Sequence, residues 1–284
     1  MRPRLYINAG AMKAGTTWLL HLLKSNKRIM TTPVKEVDYF SYVHTEYKLI
    51  GYDARKGRVS RIISSMSENV SNKELSDLFS WLSYYLRKDI DDYWYYSLFQ
   101  NYEDAKYIAD LSNTYCHLPV SGWEHVKKFD PDTRITFIMR DPVQRTLSHL
   151  KFEMMFSGQN KRIDRISNKE ILDFAKKTDV YKRSSYSETI NNILSVFPRE
   201  QFRYYIFEEI MSDKDAFAKD LSEFLGVKIA YSESLSKSIN EGPQKKFSRE
   251  LLGKLTEAYE PIYAELQDLL GTLPPAWAVN RSKH

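Results

Sequence analysis

Residues 4–24 read RLYINAGAMKAGTTWLLHLLK, and the pattern of this stretch changes twice. Arg4–Asn8 has the apolar character of a short strand. Gly10–Gly15 is a loop of small residues, and Thr16–Lys24 sets Trp18, Leu19, Leu22 and Leu23 on one side of a helix. Two later segments repeat that order. Arg134–Arg140 (RITFIMR) reads as a strand halted by Asp141-Pro142, with the proline opening a helix that runs to about Phe156. Phe202–Phe207 (FRYYIF) reads as a third strand, followed by a helix over Asp215–Leu225 that stops at Gly226. Strands that each lead into a helix predict an α/β fold: a parallel β-sheet flanked by helices.

Around this frame the chain of 284 residues reads as one domain with helical insertions, residues 1–284. Ser71–Arg87 looks helical, Asp91–Phe99 is aromatic and acidic, and residues 47–111 together read as a helical, aromatic insertion. Gly158–Ser167 reads as an exposed polar loop. Ser248–Leu270 reads as an amphipathic helix that Pro261 should kink. The single cysteine, Cys116, excludes an intrachain disulfide framework and a multi-thiolate zinc site, and it reads as a buried small hydrophobe. No apolar run approaches the 18 or so residues of a membrane span. Leu5-Tyr6-Ile7 is too short for a signal-peptide core, so a soluble, cytoplasmic protein is expected. Lys and Arg number 42 against 37 Asp and Glu, a net charge of +5 that is diffuse; this suits an anionic small ligand and argues against a nucleic-acid partner.

The loop Asn8–Trp18 has a strand running into it and a helix leaving it, which turns backbone N–H groups and the helix dipole toward an anion. Gly10 and Gly15 have the P-loop spacing and Thr17 its hydroxyl position, so the fold class reads as P-loop-like. The lysine that should follow the second glycine is replaced by Thr16, and the only lysine, Lys13, lies inside the loop. A lysine so placed suits a group attached to a single phosphate without a bridging metal. Arg140, at a strand's C-terminal edge, has the planar fork a phosphate dianion favours.

Lys13–Leu19 (KAGTTWL) resembles the 5′-phosphosulfate loop of sulfotransferases that use 3′-phosphoadenosine 5′-phosphosulfate. Ile138–Ser148 (IMRDPVQRTLS) resembles the same family's 3′-phosphate motif, Arg-Asp/Asn-Pro-x-x-Arg-x-x-Ser. The resemblance spans about Tyr6 to Leu270 and, through Lys35-Glu36-Val37-Asp38-Tyr39-Phe40, points to the carbohydrate or heparan-type branch in a bacterial-like soluble form. It implies that Lys13, Ala14, Gly15, Thr16 and Thr17 cradle the 5′-phosphate, and that Arg140 and Ser148 hold the 3′-phosphate. Arg145 matches the motif's inner arginine, with a structural role open to it. Trp18 stacks near adenine or belongs to the core. Tyr186, in Arg183-Ser184-Ser185-Tyr186, falls in another family segment and is a cofactor-binding candidate. Lys245 and Lys246 lie where the family places a late basic loop over the 3′-phosphate, though a solvated charge pair reads equally well.

The same resemblance makes Glu36 the catalytic base, with Lys13 stabilising the departing phosphate, and places Lys35, Asp110 and Ser112 toward the acceptor. Asp110-Leu111-Ser112-Asn113-Thr114-Tyr115 departs twice from the family's Glu-x-Ser/Thr-Pro-x-Tyr, with Asp110 for Glu and Asn113 for Pro. His44 and His117 fall in regions open to an alternative base. The implied reaction moves a sulfuryl group to a hydroxyl of a saccharide, glycolipid or other small alcohol or phenol, leaves adenosine 3′,5′-bisphosphate, and needs no metal. A small-molecule kinase using ATP and a non-catalytic nucleotide-binding module are the alternatives.

Overall fold

The structure, a computed structural model, describes residues 3–24, 26–66, 70–99, 104–159, 162–232 and 247–280. The chain opens with β1 (Arg4–Asn8), α1 (Thr16–Lys24) and β2 (Ile29–Thr31), followed by α2 (Tyr39–His44), α3 (Tyr52–Ser64), α4 (Asn72–Tyr85) and α5 (Asp92–Ser97). Next come β3 (Tyr107–Asp110), a 3-10 turn (Asn113–His117), α6 (Val120–Phe129), β4 (Arg134–Met139) and α7 (Pro142–Phe156). The remainder is α8 (Asn168–Ala175), α9 (Thr178–Lys182), α10 (Tyr186–Leu194), β5 (Phe202–Ile206), α11 (Phe207–Ser212), α12 (Lys214–Leu225) and α13 (Arg249–Leu270).

The strands form one parallel sheet of five in the order β2-β3-β1-β4-β5. The three strands read from sequence are β1, β4 and β5. The other two are short, and nothing in Ile29–Thr31 or Tyr107–Asp110 alternates over enough residues to announce a strand; pairing supplies what local pattern does not. From β1 the chain turns toward β2, and from β4 it turns the opposite way toward β5. The strand order therefore reverses between β1 and β4, and the crevice of such a sheet lies at the C-terminal ends of that pair.

Local chemistry explains where elements start and stop. Asp141 caps α7 by accepting the Gln144 N–H at 2.8 Å, with Pro142 at the first turn. Ser71 and Glu74 form a capping box on α4, and Gly226 ends α12 in the left-handed region, φ 57°. The long helix α13 continues through Pro261 from Arg249 to Leu270 and packs on α7, α8 and α10. Its Tyr263 hydroxyl donates to Asp141 at 2.9 Å, tying the last helix to the start of α7. α1 is buried through Trp18, Leu19, Leu20, Leu22 and Leu23, so the loop before it rests on a helix that cannot shift without opening the core.

Gly15 has φ 81°, and a Cβ there would fall 2.9 Å from two ring carbons of Phe207. Gly15→Ala should therefore cost at least about 1–2 kcal/mol, because a side chain is forced into the left-handed region against an aromatic ring. Urea unfolding should show a lower midpoint with an unchanged slope.

Candidate active site

The site begins where β1 ends. The loop from Ala9 to Gly15 is bound to β4 as though the sheet continued: Ala9 N–H donates to Thr136 O at 2.9 Å, Ala11 N–H to Ile138 O at 2.7 Å, and Ile138 N–H to Gly10 O at 2.8 Å. Gly10, Lys13 and Gly15 all have positive φ, of 118°, 69° and 81°. Such a path brings the start of α1, whose first N–H groups lack intrahelical partners, to the C-terminal end of β1. Among the described residues no carboxylate lies within ion-pair distance of Lys13. Its ammonium sits 4.3 Å from the centroid of the Phe152 ring. Burial, with the Arg140 and Lys35 charges nearby, pushes the Lys13 amine down to about 8, against a partial pull upward from Glu36.

The second loop meets the first directly. Arg140 Nη1 donates to the Lys13 carbonyl at 2.9 Å, its guanidinium lies 4.6 Å from the Phe207 ring centroid, and its buried Nε has no partner among the described residues. Phe207 thus backs both Gly15 and Arg140. Ser148 is half-buried, about two turns into α7. The inner arginine, Arg145, is fully buried: its Nε donates to Ser184 and its Nη2 to Thr146 and the Val180 carbonyl, while Nη1 has no partner among the described residues.

The third part is the turn after β2. Lys35 Nζ donates to Glu36 Oε1 at 2.7 Å and to Thr16 Oγ1 at 3.0 Å. Thr16 Oγ1 donates to Asn113 Oδ1 at 3.0 Å, and Asn113 Nδ2 donates back to Glu36 Oε1 at 2.5 Å. These four side chains close a ring that joins the start of α1 to Glu36, and Glu36 Oε2 has no partner among the described residues. Glu36 and Asp38 both have left-handed backbones, φ 65° and 56°, so the turn is held from outside. Arg58 of α3 donates to the Glu36 carbonyl and pairs with Asp38, Thr114 donates to Asp38 at 2.7 Å, and the Asp38 N–H donates to Ser112 at 2.9 Å. Burial first, then the neighbouring Glu36 carboxylate, raises the Asp38 carboxyl above its ordinary range.

Several expectations are corrected. Asp110 and Ser112 are buried below the site and do not open onto it: Asp110 accepts from Ser112, Tyr95 and Tyr115, and Ser112 supports the Asp38 backbone. Trp18 belongs to the core, packed against Phe217 and Tyr231. Tyr186 is buried and donates its hydroxyl to the Arg140 carbonyl at 2.8 Å, so it sets the position of the arginine from behind. Of the two loop threonines, Thr16 is buried in the ring and Thr17 is exposed. Lys245 and Lys246 lie outside the described residues. His44 is engaged with His125, and His117 stacks on Tyr47 and is pushed down to about 3 by burial and by the charges of Arg183, Lys182 and Arg145. Neither joins the ring around Glu36. Asn113, Arg58, Phe152 and Phe207 were not legible as site residues; only Asn113 left a trace, as a departure from a motif.

The sequence matches a family model described as a sulfotransferase domain over residues 5–258. A sulfotransferase from Alicyclobacillus acidocaldarius is similar in structure at a TM-score of 0.62 and 22% identity, with 98% of this chain and 99% of that one covered. The sulfotransferase domain of the Synechococcus PCC 7002 olefin synthase is similar at a TM-score of 0.53 and 16% identity, covering 100% and 88%. Comparison with curated proteins finds no match.

The depressed amine of Lys13 has a cost that can be measured without a ligand. The unfolded chain binds a proton that the folded chain releases between about 8 and the ordinary 10.5. That cost is fully present below about 8 and disappears as pH rises toward 10.5. Lys13→Met should be more stable than the parent at neutral pH, with the gap in urea midpoint closing across that window.

Proposed function

The chain belongs to the sulfotransferase domain family, and from that membership we propose that it moves the sulfuryl group of 3′-phosphoadenosine 5′-phosphosulfate to an acceptor hydroxyl, with Glu36 as base. The observation that carries this reading is the contact of Arg140 with the Lys13 carbonyl. It makes two anion-binding edges adjoin in one crevice, as the two ends of a doubly phosphorylated adenosine require.

The residues fit the donor chemically. Backbone N–H groups of Gly15, Thr16 and Thr17 and the Lys13 ammonium face a 5′-phosphate, while Arg140 and Ser148 take the 3′-phosphate. Among the described residues Arg140 has a buried Nε without a partner and Lys13 has no carboxylate within ion-pair distance, both suited to an anion. The donor supplies an activated sulfuryl group with a phosphate as leaving group.

The acceptor oxygen forms its bond to sulfur as the sulfur–oxygen bond to the 5′-phosphate breaks. The electron pair of the broken bond leaves on that phosphate, where Lys13 and the helix start stabilise it. The acceptor's proton passes to Glu36 Oε2, since Oε1 is occupied by Lys35 and Asn113. The acceptor is a saccharide, glycolipid or other small alcohol or phenol hydroxyl, approached from the side where Arg58 of the 47–111 insertion braces the base.

Calorimetry should give micromolar-class binding of adenosine 3′,5′-bisphosphate that is indifferent to Mg²⁺ and is lost in Arg140→Ala. Magnesium-dependent preference for ATP would instead favour a kinase. Glu36→Gln should keep bisphosphate affinity while lowering turnover from labelled donor to a panel of saccharide and phenol acceptors by about 100-fold or more. Parental turnover in that variant would remove Glu36 from the role.

A further inference from the structure

Asn113 occupies the place where the resembling family string has proline, a residue with no side-chain donor. Here its amide is used at both ends: Nδ2 donates to Glu36 Oε1, and Oδ1 accepts from Thr16 Oγ1. The orientation of the amide follows from its partners, because an ionised carboxylate only accepts and the threonine hydroxyl has a proton to give. Asn113 is 8% exposed, and its backbone carbonyl is fixed by Cys116 Sγ at 3.1 Å, at the start of the 3-10 turn that follows β3. Its side chain therefore projects from rigid structure.

We propose that Asn113 is a positioning residue for Glu36, holding Oε1 so that Oε2 faces the acceptor and joining the base to the phosphate loop through Thr16. This rests on the reading of Glu36 as the base. The other donor to Oε1, Lys35, is a poorer orienter. Its ammonium is shared between Glu36 and Thr16, it sits on a flexible stem, and its charge is free to turn toward a transferring anionic group. A neutral amide with a short side chain fixes geometry without adding a compensating charge. Glu36 needs such a hold because its backbone is left-handed, and Arg58 secures only its carbonyl. A base held to within a fraction of an ångström is worth much in rate, since a displacement of about 1 Å costs on the order of 100-fold.

Two variants test this: Asn113→Ala, which deletes both bonds, and the isosteric Asn113→Asp, which keeps the acceptor for Thr16 but faces Glu36 with a second carboxylate. The measurements are single-turnover release of labelled sulfate from the donor across pH, with water as the acceptor, and calorimetry with adenosine 3′,5′-bisphosphate. Both variants should lose about tenfold or more in rate, the size of a lost hydrogen bond to a charged group, with bisphosphate affinity within about threefold of the parent. The acid limb of the rate profile should move up by about one pH unit in Asn113→Asp, as a like charge at a shared site requires. Parental rates and an unmoved limb in both variants would overturn the proposal, as would a rate loss matched by an equal loss of bisphosphate affinity. An inactive Glu36→Gln beside unaffected Asn113 variants condemns the positioning role alone. A fully active Glu36→Gln condemns the base and the positioning role together.

Discussion

The Arg140 guanidinium on the Lys13 carbonyl is the contact that makes one site of two loops. Parallel pairing of β1 with β4 brings the loop ends near each other, but pairing leaves the side of the crevice open to many loop paths. A charged donor on the carbonyl of a residue with φ 69° selects one of them, and the same residue's ammonium lies over the Phe152 ring of α7. Tyr186 fixes the arginine from behind through its carbonyl, and Phe207 lies against both the guanidinium and Gly15. Cationic groups are gathered here with only partial compensation: Glu36 acts on Lys13, Glu208 and Asp141 act on Arg140, and neither cation has a carboxylate within ion-pair distance among the described residues. That arrangement is unfavourable in the free protein and favourable when an anion arrives.

On the other side of the crevice the cost is of a different kind. Two left-handed residues, Glu36 and Asp38, stand in one short turn, and three strong acceptors, Glu36, Asp38 and Asp110, lie on or beneath it. Every one of these carboxylates has hydrogen-bond donors: Lys35 and Asn113; Thr114 and Arg58; Ser112, Tyr95 and Tyr115. A buried polar network that is this well satisfied rigidifies the turn, whereas the same network with one partner missing leaves an unpaired charge in low dielectric. The tyrosines on Asp110 come from the aromatic insertion and from the 3-10 turn, so the insertion supports the Glu36–Asp38 turn from a distance as well as reaching Glu36 through Arg58.

Much of this was readable residue by residue. Lys13 displaced into its loop, Gly15 before a helix start, and Arg140 ahead of Asp141-Pro142 each signal chemistry within a few neighbours, because loop, cap and strand end are local events. For Asp110 and Tyr186 the sequence leaves two roles open. A polar residue in a family segment reads the same whether it faces a ligand or holds the backbone that does, and only burial separates the two. Trp18 was ambiguous on the same ground, and its packing on Phe217 and Tyr231 resolves it.

Sequence alone determined the periodicities, the strand–loop–helix units and the charge at each loop, since these depend on covalent neighbours and on the choice of side chain. Tertiary structure alone decided the strand order, the short strands Ile29–Thr31 and Tyr107–Asp110, and the ring through Thr16, Lys35, Glu36 and Asn113. Asn113 is 77 residues from Glu36 and 97 from Thr16. No local pattern encodes a hydrogen bond across such separations; it exists because parallel pairing of β1, β2 and β3 brings the ends of all three to the same edge of the sheet.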